Sequence, residues 1–257
     1  MFEFRFLGTG NAGGVPLWGC ACPACEAARQ DTSLRRRGAS AAILCNGRVT
    51  LVDAALPELM DQFPFEQVER ILLTHFHMDH VQGLFPLRWS ERSERLPVYR
   101  PDDPWGADDL YKHPGVLDFQ RPCEPFAELD FGAFTVTPVP LVHSRVTQGF
   151  VFRVGDWRLA YLTDTRGLPD ATLAFLQANP ADELVMDCSD PPSKTPPRNH
   201  NDLNEALSIW RASGARRLWL THIGHRLDQW LRQNDLPNGV KPARDGLVLS
   251  PAGEAWH

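Results

Sequence analysis

The sequence predicts an α/β protein. Short apolar runs of strand length alternate with amphipathic stretches of helix length, Gly, Pro and Asn-Gly turns punctuate them, and acidic or imidazole residues stand at the exits of five of the runs. Chemistry gathered at strand exits places a site along one edge of the sheets. At 257 residues and 43% apolar content the chain is long enough for one large core, so residues 1–257 are expected to form a single domain. With 26 basic against 32 acidic residues the net charge is −6, which argues against a general nucleic-acid binder and leaves small anionic substrates open. No apolar run approaches the roughly 18 residues of a membrane span. Met1-Phe2-Glu3-Phe4 begins a strand, not a signal peptide, so a cytoplasmic location is expected.

Phe2, Phe4 and Phe6 alternate with Glu3 and Arg5, giving a first strand with one apolar face that ends in Gly8-Thr9-Gly10. GTGNAGG lacks both the GxGxxG spacing and the Lys-Ser/Thr ending of a phosphate loop and reads as a tight turn. WGCACPAC then sets three thiols within six residues. Zinc takes four tetrahedral ligands, so Cys20, Cys22 and Cys25 need a fourth, for which His225 is the candidate; reduced thiols without metal are the alternative. A structural zinc would staple the loop of about residues 8–38, whose Gly, Pro and short polar residues offer little apolar surface. Cys45, Cys123 and Cys188 stand alone and suit the core. Arg35-Arg36-Arg37 is expected to be solvated, with a phosphate contact as the alternative. Ala41–Leu44 and Val49–Val52 flank Asn46-Gly47 as a hairpin ending at Asp53, and Glu58–Phe63 suits a short helix.

The buried strand Ile71–Leu73 empties into Thr74-His75-Phe76-His77-Met78-Asp79-His80. Three imidazoles and a carboxylate within six residues are expensive to desolvate at a strand end unless a cation offsets the cost, so a metal site is expected. His80 should open a helix through Leu84–Leu87. Pro97–Tyr99 is a short strand, and the proline-rich segment of about 100–126 is expected to be a lid or insertion with a brief helix near Ala107–Tyr111; His113 within it is left out of the metal shell. Phe134–Val139 is a strand that exits to His143. Val151–Val154 and Trp157–Leu162 form a hairpin whose exit carries Asp164. Leu168–Asn179 is an outer helix, Leu184–Met186 a buried strand, and Pro191–Pro197 runs up to His200. A helix through Leu203 and Trp210 stops at Gly214. Leu218–Leu220 is the last core strand before His222 and His225, followed by a terminal helix around Trp230 and an edge strand at Leu247–Leu249.

HxHxDH after a hydrophobic strand resembles the signature of the metallo-β-lactamase superfamily of mostly dinuclear hydrolases, which implies an αββα sandwich. The resemblance assigns His75, His77 and His143 to one metal, Asp79, His80 and His222 to the other, and Asp164 to the bridge between them. WGCACPAC, HFHMDHVQGLFPLRW, YKHPGVLDF, MDCSDPP, PPRNHNDLN and LTHIGH further resemble the PhnP-type phosphodiesterases of the carbon-phosphorus lyase pathway. That likeness implies a structural zinc on Cys20, Cys22, Cys25 and His225, and a dinuclear pair that is commonly manganese. Zinc, nickel or iron are also accepted by such ligands. It implies His200 as the residue assisting proton transfer, beside Asp79 in the catalytic set, and is consistent with a homodimer.

Two cations about 3.5–4 Å apart can share a water and lower its pKa towards about 7, giving a hydroxide that attacks phosphorus in line while His200 protonates the departing sugar oxygen. The resemblance implies opening of 5-phosphoribosyl 1,2-cyclic phosphate to ribose 1,5-bisphosphate in phosphonate degradation. Two alternatives remain. A transfer-RNA 3′-end endonuclease would need a basic exosite that the acidic balance opposes. A non-catalytic zinc-binding protein like those of pyrroloquinoline-quinone biosynthesis would have no use for a complete HxHxDH set.

Overall fold

The computed structural model describes every residue except Pro196 and His257, so part of the expected Pro191–Pro197 run lies outside the described residues. The chain opens with β1 (Phe2–Gly8), α1 (Pro23–Gln30), and a hairpin of β2 (Ser40–Cys45) and β3 (Arg48–Val52). Asn46 and Gly47 both take positive φ, as a two-residue hairpin turn requires. β4 (Val68–Leu72), α2 (Met78–Val81), α3 (Leu84–Leu87), β5 (Leu96–Tyr99), α4 (Asp108–Lys112) and β6 (Leu117–Phe119) complete the first half. The second half runs β7 (Leu129–Asp130), β8 (Thr135–Pro140), β9 (Gln148–Val154), β10 (Trp157–Leu162), α5 (Asp170–Ala178), β11 (Glu183–Asp187), α6 (Leu203–Ser213), β12 (Arg217–Thr221), α7 (His225–Leu231) and β13 (Val240–Pro242). β14 (Leu247–Ser250) and β15 (Gly253–Trp256) return to the first sheet.

Two sheets result, ordered β15-β14-β1-β2-β3-β4-β5-β6 and β13-β12-β11-β10-β9-β8-β7. Each begins with antiparallel pairing and continues with parallel strands, β3 to β6 in one and β10 to β13 in the other. Parallel strands are covered on both faces, and the core divides accordingly. Between the sheets Phe2, Phe4 and Phe6 meet Phe134, Phe150, Phe152, Tyr161 and Trp219. Outside the first sheet Leu51, Ile71 and Leu73 pack under Val81, Leu84 and Leu110 of the short helices. Outside the second, Leu184, Met186 and Leu218 pack under α5, α6 and α7 through Leu176, Ala206 and Leu227. The molecule is an αββα sandwich. Burying each large side chain contributes about 1.5–3 kcal/mol, and the alternating pattern of β1 delivers three of them to one face.

Several expectations need correction. The loop of residues 8–38 is not without internal packing: α1 starts at Pro23, suited to the first helical turn, and buries Ala24, Cys25 and Ala28. Arg36 is not solvated but only 5% exposed, ion-paired to Asp228. Glu58–Phe63 holds a single 3₁₀ turn at Leu59–Asp61. The helix expected to open at His80 opens at Met78, because His77 takes the extended capping conformation. It ends at Val81, and a second short helix follows Gly83. Leu247–Leu249 lies inside the sheet, with β15 as the edge. The segment of about 100–126 carries α4 where expected and also β6, which forms the opposite edge of that sheet. No described helix is long and apolar enough to cross a membrane.

Candidate metal centre

The site forms where strands of both sheets end. β4 leads through Thr74 to His75, with His77 capping α2 and Asp79 and His80 inside its first turn. β8 leads to His143, β10 to Asp164, β11 to Asp187 and β12 to His222. These strands run in one direction within their sheets, so their carboxyl ends share an edge, the usual place for a site in parallel α/β sheets.

His75 Nε2 stands 2.9 Å from His77 Nδ1, which stands 3.1 Å from His143 Nε2. Ligand bonds of about 2.0–2.1 Å at tetrahedral angles separate donors by roughly 3.4 Å, so this triangle is close to the spacing around one cation. The donor atoms of His75, His77, His143 and Asp164 all lie within 4.8 Å of one another, and so do those of Asp79, His80, Asp164 and His222. Asp164 belongs to both groups. Its Oδ2 lies 3.8 Å from His75 Nε2 and 3.4 Å from His80 Nε2, and its Oδ1 lies 3.3 Å from His222 Nε2.

Outer hydrogen bonds fix which nitrogen each ring presents. The Thr74 hydroxyl donates to Asp53 Oδ2 at 2.7 Å, leaving its oxygen to accept from His75 Nδ1–H at 3.0 Å. His80 Nδ1–H donates to Asp53 at 2.7 Å, and His143 Nδ1–H to the Asn199 carbonyl at 3.1 Å. Ser189 Oγ lies 2.8 Å from His222 Nδ1. Each of these four rings is thereby held with Nε2 towards the centre.

A cation fits this donor set. Nε2 of His80 and Nε2 of His222 are buried and have no hydrogen-bond partner, a costly state unless something else occupies the space they face. Burial, together with the neighbouring imidazoles, holds His75 well below the usual histidine range, so it is a neutral ligand at pH 7. Burial also lowers His77, His143 and His222. At His80 burial is outweighed by the Asp164 and Asp53 carboxylates, which raise it well above the usual range. Burial would raise Asp164, yet His222 and His80 hold it well below the carboxylate range. The Asp164 and Asp53 carboxylates thus stabilise positive charge at this centre.

His200 stands beside this group. Its Nδ1 is 2.8 Å from Asp187 Oδ2, its ring stacks on His222 with centroids 4.5 Å apart, and the His143 ring is 5.2 Å away. Burial alone would lower His200, but the Asp187 carboxylate outweighs it and raises the pKa to about 9.

The second cluster joins the starts of α1 and α7. The donor atoms of Cys20, Cys22, Cys25 and His225 lie within 4.8 Å of one another, with His225 Nδ1 at 3.4 Å from Cys20 Sγ and 3.5 Å from Cys22 Sγ. Burial opposes ionisation of Cys22, but hydrogen bonds from His225 and the Cys25 backbone lower its thiol to about 6. His113, left out of the metal shell on sequence grounds, belongs to neither group.

Sequence reasoning missed the residues that hold the ligands. Asp53, at φ +60, serves both Thr74 and His80, and Asp187 serves His200. The available signal was their position, since each is an acidic residue closing a buried apolar run. Arg145 gave no signal. Its guanidinium donates to Asp103 at 3.0 Å, the Phe76 carbonyl at 3.0 Å and the Gly106 carbonyl at 2.8 Å, tying the His77 and His143 loops to the segment before α4.

Comparison with known proteins agrees with this architecture. Coenzyme PQQ synthesis protein B of Methylobacterium radiotolerans is 34% identical over 215 residues, 70% of this chain and 71% of that protein. An octanoyltransferase of Porphyromonas gingivalis is 30% identical over 188 residues, 67% of this chain, which spans only 36% of that longer protein. A solved structure of a diphosphatase from the PhnP family superposes with a TM-score of 0.80 at 28% identity, covering 96% of each chain. A beta-lactamase superfamily domain model matches residues 43–223, which hold HxHxDH and the later strand-end residues through His222, and with its αββα sandwich the chain belongs to the metallo-β-lactamase superfamily of hydrolases.

Proposed function

We propose that the protein is a dinuclear metal-dependent phosphodiesterase that opens 5-phosphoribosyl 1,2-cyclic phosphate to ribose 1,5-bisphosphate. His75, His77, His143, Asp79, His80 and His222 would hold two divalent cations, manganese favoured, with Asp164 between them. Cys20, Cys22, Cys25 and His225 would hold a structural zinc. A bound pair supplies Lewis-acid charge to phosphoryl oxygens and an acidified water.

The chain's own residues account for the rest. Opening the cyclic diester adds one water across one P–O bond, and the sugar oxygen that leaves phosphorus needs a proton. His200 keeps one on Nε2, because Asp187 at 2.8 Å both orients the ring and stabilises its cationic form. The His200 side chain is 25% exposed, so it can meet a substrate entering from solvent. Asp79, also 25% exposed, faces His80 Nε2 at 3.6 Å. The observation that carries the reading is this half-buried His200, held by the buried Asp187, beside a full set of metal-binding side chains.

The likeness to a PhnP-family diphosphatase supports phosphate-ester chemistry and favours a second reading, hydrolysis of a diphosphate. The test is turnover by manganese-loaded protein of the phosphorylated cyclic ribose, a 2′,3′-cyclic nucleotide, a nucleoside diphosphate and a transfer-RNA precursor. Preference for the cyclic ribose is expected. Cleavage of the diphosphate alone would replace the first reading with the second, and inertness towards all four would favour a binding role like that of the PQQ synthesis relatives.

A further inference from the structure

A cavity of about 150 Å³ lies between α7 and the segment joining β13 to β14, lined by Arg36, Asp228, Arg232, Arg244, Leu34 and Leu231 among others. It shares no residue with the two clusters described above. Three arginines and one carboxylate line it. Arg36 is the buried member: its Nε donates to Asp228 Oδ1 at 2.7 Å, and its Nη1 to Thr9 Oγ1 at 3.0 Å and the Ala243 carbonyl at 2.6 Å. Arg232 Nε is 3.6 Å from Asp228 Oδ2, too far for a hydrogen bond, and that oxygen is buried without one. Asp245, the next nearest carboxylate, is already engaged by the Arg37 backbone N–H at 2.9 Å and by the Thr9 hydroxyl at 2.8 Å.

We propose that this cavity binds inorganic phosphate as the hydrogenphosphate ion. The excess of two cations calls for a dianion, and planar guanidinium forks match the spacing of phosphate oxygens. Sites for drug-sized molecules begin at about 300 Å³, so the occupant is a small ion and not a nucleotide. The orphaned Asp228 Oδ2 narrows the choice further, because it needs a donor. Hydrogenphosphate carries two negative charges and still has a P–OH to give. Sulfate has no proton at neutral pH, and a phosphomonoester, with its second pKa near about 6, has mostly lost its own. Filling the cavity would brace the metal loop from behind: Arg36 holds Thr9, whose carbonyl accepts the Ile223 N–H at 2.8 Å, next to His222.

The test is calorimetric titration of the metal-loaded protein with phosphate, sulfate and glycerol phosphate at constant ionic strength. The double variant R232Q/R244Q changes only exposed residues and is the comparison. Phosphate also meets the catalytic cations, so the readout is stoichiometry. The wild type is expected to take up one phosphate per chain more than the double variant, or to bind that phosphate about tenfold more tightly. Sulfate and glycerol phosphate should bind this site several-fold more weakly, a preference that D228N removes. Equal stoichiometry and affinity in wild type and double variant would overturn the proposal, as would sulfate binding as tightly as phosphate. If D228N fails to fold, the double variant decides alone. The outcome is independent of the hydrolase reading, because none of these residues touches the ligand clusters.

Discussion

A histidine can sit in this site as ligand or as proton donor, and exposure separates the two roles: the His200 side chain is 25% exposed, those of His75, His80, His143 and His222 at most 2%. His75, His80, His143 and His222 each turn Nε2 towards Asp164, whereas His200 is held by Asp187 at the rim. His200→Gln is therefore expected to keep all its metal by elemental analysis while kcat on a cyclic sugar phosphate falls about 10²–10⁴-fold. On bis(4-nitrophenyl) phosphate, whose phenolate leaves without needing a proton, the same variant should lose far less. Equal losses on both substrates would assign His200 to metal binding or folding instead. HxHxDH was legible because its donors are packed into six residues, and His143, Asp164 and His222 because each follows a strand. Asp53 and Asp187 carried the same strand-end signal, but their bonds to His80 and His200, 27 and 13 positions away, left no local pattern, and neither did that of Ser189 to His222.

Among the elements, the four-residue helix α2 carries Asp79 and His80 and is capped by His77. Gly83 separates α2 from α3, and a Cβ there would stand 2.5 Å from the Leu56 carbonyl oxygen and 2.8 Å from that of Ala54. Both are backbone atoms that cannot swing aside. Gly83→Ala should cost about 1–3 kcal/mol by overpacking and weaken metal binding through His80, with thermal melting and metal content as the measurements. An unchanged Tm would show that the α2 turn has slack that the structure does not suggest. Cys25 is fully buried at the start of α1 and belongs to the cluster completed by His225 at the start of α7. Cys25→Ser should remove one zinc per chain and lower Tm by about 5 °C or more, while Cys123→Ser, an isolated thiol, should leave zinc content unchanged. Equal zinc in both variants would sink the structural-zinc assignment. Strands of five to seven residues were legible from their apolar runs. β6, β7 and β13 were not, because two or three residues show no period, and α1 was hidden by reading Pro23 and its small neighbours as loop.

At the scale of the whole molecule, the sandwich joins two sheets through Phe-rich packing in the middle and through the ligand clusters at one edge. His75, His77, Asp79 and His80 come from the first sheet, and His143, Asp164 and His222 from the second. The α/β class was legible from the alternation of elements. Return of β14 and β15 to the first sheet was not, since strand order depends on contacts more than two hundred residues apart, such as Phe4 with Leu249. The division of ligands has a thermodynamic consequence. An ion bound by both sheets binds the folded state and not the separated one, so it stabilises by mass action, by about 2.7 kcal/mol for one site at a hundredfold excess over Kd. For a chain of this size each kcal/mol moves Tm by roughly 2–4 °C. Removal of the proposed active-site ions by a chelator too weak to strip a zinc held by three cysteines and a histidine should therefore lower Tm by about 5–10 °C, and manganese should restore it. Amide exchange should speed up together at Thr74–His80 and at His222–Gly224, although these segments belong to different sheets. Exchange that rises in one segment alone, or a Tm indifferent to the metal, would mean that the seven side chains do not share their ions across the sandwich.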